Sequence, residues 1–116
     1  MKKAKKDQRV YLQDILSAIE HISAYTVDGR DAFITDEKTQ DAVIRQFSII
    51  GEASAKLTPA FKATHEEIPW KDIVGMRNII IHDYSETDLP TIWDTVVHGL
   101  PSLKTTVEDI LKEMEG

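Results

Sequence analysis

The side chains best suited to chemistry crowd into one short stretch. From Gly75 to Tyr84 the sequence reads Gly-Met-Arg-Asn-Ile-Ile-Ile-His-Asp-Tyr, so Arg77, Asn78, His82 and Tyr84 break an otherwise apolar run. An imidazole exchanges protons near neutral pH, and a guanidinium offers a planar, permanently charged donor to phosphate oxygens. Together His82 and Arg77 have the residue types for proton transfer beside a phosphate whose negative charge builds in the transition state. On a helix Asn78 and His82, four residues apart, share a face, whereas Arg77 lies about 140° round from His82 and must reach with its long side chain. Burying such groups unpaired costs several kcal/mol. Two explanations offset that cost: a hydrogen-bonded network that fixes helix packing, or a site.

The remaining candidates are weaker. With no cysteine in the chain there is no thiolate nucleophile, disulfide or thiolate metal site, which suits a reducing cytoplasm. No His-x-x-x-His or Glu-x-x-His pair stands among further ligands, so no metal site is expected. His65, beside Glu66 and Glu67, reads as a surface histidine, and His21 and His98 as surface or boundary residues. Trp70 and Trp93 read as core fillers before they read as platforms for RNA bases.

Apolar spacing supplies the elements that must hold this stretch. Tyr11, Ile15, Ala18, Ile22 and Tyr25, widened by Leu12, Leu16 and Ile19, form one face of a helix over 9–26 that stops near Gly29. A second stripe, Val43, Phe47, Ile50, Ser54 and Leu57, follows the capping residues Thr35 and Asp36 and ends at Pro59, a helix of about 20 residues. The connection 59–69 has room for one helical turn around 60–63. Pro69 suits the first position of a third helix running to about His82, because its missing N–H is not needed there. Pro90 opens a last helix with Ile92, Trp93, Val96 and Val97 inward. Gly99 and Pro101 interrupt it before Leu103, Val107, Ile110, Leu111 and Met114 resume the pattern. No segment alternates as a strand does, and Asp28-Gly29 is the one hairpin-like pair. The expected fold is all-α, an antiparallel four-helix bundle with a kinked or split last helix.

Charge divides the chain unevenly. Of the 116 residues 41% are hydrophobic and the net charge is −6, enough apolar material for one domain and little for a general grip on nucleic acid. Residues 1–9 hold five Lys or Arg against Asp7, so the remainder carries −10. We read 1–8 as a basic tail and 9–116 as a single helical domain. The longest apolar run, Ile79-Ile80-Ile81, is far short of a membrane span, and no apolar leader segment follows the lysines, so a cytoplasmic protein away from membranes is expected.

Arg77, His82 and Tyr84 form Arg-x4-His-x-Tyr, which resembles the signature of HEPN-domain ribonucleases, specifically the HepT-like toxins partnered by a minimal nucleotidyltransferase antitoxin. Tyr11-Leu12-Gln13-Asp14-Ile15-Leu16, Gln40-Asp41-Ala42-Val43, Ile50-Gly51-Glu52-Ala53, the run from Pro69 to Asn78 and Ile92-Trp93 extend the likeness over 9–114. The basic first eight residues are not covered. The resemblance implies a HEPN-like bundle and a metal-independent endoribonuclease that needs no cofactor and cuts RNA with Arg77 and His82. It also implies a homodimer that brings two copies of the motif around one phosphate, and inhibition when the partner transfers AMP to Tyr84. Asn78 and Glu52 are candidate supports for Arg77, although Glu52 is equally a solvated acid. Gly51 and Ala55, flanked by Ser48 and Ser54, suit either core packing or contact with a second chain. A competing reading from another class is a catalytically silent helical module that binds a nucleotidyltransferase and supports its substrate site, which the acidic charge favours and the intact motif opposes.

Overall fold

The computed structural model describes residues 7–74 and 89–115. Its elements are α1 (Gln8–Tyr25), α2 (Arg30–Thr35), α3 (Glu37–Lys56), α4 (Pro59–Ala63), α5, of which residues 70–74 are described, α6 (Leu89–Asp94) and α7 (Leu100–Glu115), with a π-helical turn, Thr95–Gly99, joining the last two. Among the described residues there is no strand, and the fold is an all-α bundle of the expected class.

Local chemistry sets the helix ends. The Asp7 carboxylate accepts from the Arg9 backbone N–H at 2.9 Å and from its guanidinium at 2.7 Å, capping α1 and holding that carboxyl below the usual aspartate range. Asp36 caps α3 in the same way, accepting from the Lys38 N–H at 3.2 Å and the Thr39 hydroxyl at 2.6 Å. Thr58 caps α4 through the Phe61 N–H. Gly29 lies at φ +93°, a conformation that favours glycine, and the chain turns there straight into α2, a helix the apolar spacing did not announce. Asp28-Gly29 is therefore a helix-to-helix turn. Gln40 donates to the carbonyls of Phe33 and Ile34 at 3.0 and 2.9 Å, satisfying acceptors that the end of α2 leaves open.

Packing follows the two predicted stripes. Val43, Phe47, Ile50, Ser54 and Leu57 are all buried, as are Leu12, Ile15, Ala18, Ile19 and Ile22. Tyr11 and Leu16 of the first stripe are half-buried, and Tyr25, the last residue of α1, is 40% exposed. Gln8, opening α1, accepts from the Thr58 N–H just beyond α3 at 2.9 Å, and His21 near the far end of α1 meets Gln46 at 3.3 Å, so the two helices run antiparallel. Each fully buried Ile, Leu, Val or Phe in this seam contributes roughly 1.5–3 kcal/mol. Gly51 and Ser54 face the core and take part in packing within the chain, while Ala55 faces out.

The interruption expected at Gly99 and Pro101 takes the form of the π turn. Helical backbone continues from Leu89 to Glu115, but the Leu100 N–H reaches back five residues to the Thr95 carbonyl. Pro101 brings no N–H, and its ring would press on the carbonyl four residues earlier; the wider turn relieves both. Ile92 before the turn and Val107 and Ile110 after it all point into the core. Val97, expected inward, is 43% exposed because it sits within this turn. No helix among the described residues is long and apolar enough to cross a membrane.

Candidate functional site

Arg77, Asn78, His82 and Tyr84 lie outside the described residues; the elements on either side of them do not. Upstream, α5 begins behind Pro69 with its first turn closed by the Ile73 N–H on the Pro69 carbonyl at 3.1 Å. Trp70 fastens this start. Its ring is buried, its indole N–H donates to the His65 carbonyl at 3.0 Å, and Phe61 of α4 lies 6.3 Å from it between ring centres. Ile68 and Ile73 are buried on either side of it. Downstream, Ile92 enters the core and Trp93 packs on Phe33 at 5.6 Å, so Trp70 fills the interior as expected while Trp93 lies half-buried against it.

Glu52, the candidate support described by the structure, is exposed on α3 beside a hollow of about 130 Å³ that Tyr11 and Asp14 of α1 also line. Lys56, one turn on, lines the same hollow and supplies a cation to an otherwise acidic edge. His65 departs from the expected surface role: its side chain is only 17% exposed, its ring lies 4.6 Å from that of Phe61, and its Nδ1 stands 3.8 Å from Glu67. His21 is exposed and stacks on Tyr25, and His98 is exposed with Nε2 3.6 Å from Asp94. No group of three or more His, Cys, Asp or Glu among the described residues is placed to hold a metal ion.

A larger feature is a slot of about 380 Å³ between α3, the start of α5, the π turn and α7. Phe47, Ile50, Ile68, Ile73, Leu100 and Leu103 form its apolar lining. Glu67, Asp72, Thr95, His98, Ser102 and Thr106 supply its polar groups. Sequence reasoning missed this slot; the pair Gly99 and Pro101 was the signal, since the turn they demand carries Thr95 and His98 to its wall.

The sequence model of the HepT-like family, described as "Ribonuclease HepT-like", matches residues 15–110, from inside α1 to inside α7. The chain belongs to the HepT-like ribonuclease family. A protein named "Probable ribonuclease HepT" from Thermococcus cleftensis is 44% identical over 113 residues, covering 97% of this chain and 100% of the relative. A protein named "Gamma-glutamylcyclotransferase and putative RNase MJ0434" from Methanocaldococcus jannaschii is 45% identical over 112 residues, 96% of this chain, and this chain spans about half (49%) of that relative's length. No solved structure matches the chain with significance. The resemblance read from Arg-x4-His-x-Tyr therefore holds at the level of the HepT-like family, whose matched span runs through all the motif positions.

Proposed function

We propose that this HepT-like chain is a metal-independent endoribonuclease, the toxin of a two-component system whose antitoxin is a minimal nucleotidyltransferase. The observation that carries the reading is the family match over 15–110, which contains an intact Arg77, His82 and Tyr84. In this mechanism the imidazole of His82 removes the proton of a ribose 2′-OH, the 2′ oxygen bonds to the adjacent phosphorus, and the bond from phosphorus to the 5′ oxygen breaks. The 5′ oxygen leaves with a proton, so the products are a 2′,3′-cyclic phosphate and a 5′-hydroxyl end. Arg77 meets the charge on the phosphate oxygens, and Asn78 and Glu52 orient it. One imidazole serves poorly as base and acid at once; a two-fold dimer supplies the second.

AMP transferred to the Tyr84 hydroxyl adds a negative phosphate two residues from His82, competes with RNA for Arg77 and blocks the site, which makes the partner an inhibitor. Of the segment read as a basic tail over 1–8, Asp7 and Gln8 belong to the helical domain as the cap and the first residue of α1, and the protein acts in the cytoplasm.

The test is cleavage of RNA by the purified chain in EDTA. We expect cutting with cyclic-phosphate ends, and Arg77→Ala and His82→Ala each to lower the rate at least about a hundredfold while helicity and dimer mass persist. Folded, fully active variants would defeat the assignment, and a wild-type chain that never cuts RNA would favour the silent partner-binding module. Incubation with the partner, ATP and Mg²⁺ should add one AMP mass to the wild type and none to Tyr84→Phe.

A further inference from the structure

We infer that the slot between α3 and the π turn binds a nucleobase carrying an exocyclic amino group, that is adenine, cytosine or guanine in preference to uracil. The proposal rests on the ribonuclease reading only for the kind of ligand; the shape and polarity come from the slot itself. At about 380 Å³ it falls within the range of small-molecule sites and far exceeds the space of a single water. Its lining residues Phe47, Ile50, Ile68 and Leu100 are each at most 5% exposed, so the apolar side of the slot is nearly enclosed. That form suits one inserted flat group rather than a docked helix.

The polar groups at the mouth are rich in acceptors. Thr95 and Thr106 donate their hydroxyl hydrogens to the carbonyls of Thr91 and Ser102, both at 3.1 Å, leaving oxygen lone pairs for a ligand. Glu67 and Asp72 add carboxylates, which accept hydrogen bonds and repel phosphate. An apolar floor under such a rim suits an uncharged base that presents N–H groups, and it disfavours the desolvation of a lysine or arginine head group. Adenine, cytosine and guanine each carry an NH₂ pair for this rim, whereas uracil has only its ring N–H. Three slot residues, Thr95, His98 and Gly99, belong to the π turn, and such turns recur at functional sites.

Binding is read without cleavage by following the imidazole C–H signals of His98, assigned with His98→Gln, as nucleosides lacking phosphate are titrated into the full chain. Adenosine and cytidine should shift them at millimolar concentration, and uridine should bind at least about tenfold more weakly. Ser102→Phe, at an exposed position on the slot wall, should abolish the shift at unchanged melting temperature; Asp72→Asn is the second variant and should weaken it severalfold. No shift with any nucleoside, equal shifts with all three, or shifts given only by a lysine-rich peptide would overturn the proposal. A chain that binds adenosine at His98 yet never cuts RNA leaves this inference standing and defeats the ribonuclease reading. A chain that cuts RNA and shows no nucleoside shift does the reverse.

Discussion

The seam between α1 and α3 and the wall formed by the π turn and the start of α7 are built from similar residues to opposite effect. In the seam Leu12, Ile15, Ile22 and Val43 are wholly enclosed, and hydrogen bonds at Gln8–Thr58 and His21–Gln46 tie α1 to α3 near either end of α1. On the other side Leu100 and Leu103 border an open slot, and Val97 faces solvent. Two unbroken helices with matched stripes can interdigitate along their length, whereas the change of register at a π turn interrupts the match and leaves space beside it. Enclosed packing is concentrated in the first region and open volume in the second.

Truncation should separate the two most sharply. Leu12→Ala is expected to cost about 2–5 kcal/mol in urea denaturation, because the cavity it opens lies in a dry, enclosed seam. Leu103→Ala, at the edge of an existing slot, should cost only about 1 kcal/mol, and equal losses would erase the contrast. A proline at Ala18, inside α1, should cost about 3 kcal/mol or more, while Pro101→Ala should change stability by less than about 1 kcal/mol because the turn before it is already widened. Trp70→Phe removes the bond to the His65 carbonyl and should lower stability by about 1 kcal/mol, loosening the start of α5 while α1 and α3 keep their hydrogen-exchange protection.

The smallest effect concerns acid. Asp7 and Asp36 titrate below the ordinary aspartate value of 3.8, Asp7 chiefly through the Arg9 side chain and Asp36 chiefly through the Thr39 hydroxyl. Their folded values are depressed, so their contribution is complete above 3.8 and is lost as the pH falls through the lowered values. Amides in the first turns of α1 and α3 should therefore lose protection, measured against the intrinsic exchange rate at each pH, below that value, and Asp7→Ala and Asp36→Ala should abolish this part of the pH dependence.

Legibility in the sequence tracked how local the cause was. The ends of α1 and α3 were readable because aspartate, glycine and proline act on the backbone within a turn of themselves; Asp36 and Pro59 bracket α3 much as expected. The family was readable because Arg77, His82 and Tyr84 keep their spacing whatever surrounds them. Short α2 escaped notice because six residues with one buried side chain, Phe33, show no period.

What the sequence determined by itself, then, was the all-α class, the two stripes that build the seam, and membership of the HepT-like family through residues that act by type and spacing. Tertiary structure decided the rest. Whether Gly99 and Pro101 would break the last helix or widen it was decided only in the fold, where helical backbone runs on through the π turn and Ile92 and Val107 are both buried. That Gly51 faces inward and Ala55 outward, that His65 lies against Phe61, and that a slot opens beside Thr95 are outcomes of how helices meet. Contacts between residues far apart in the chain are set by the packing of whole faces, and no single spacing encodes them.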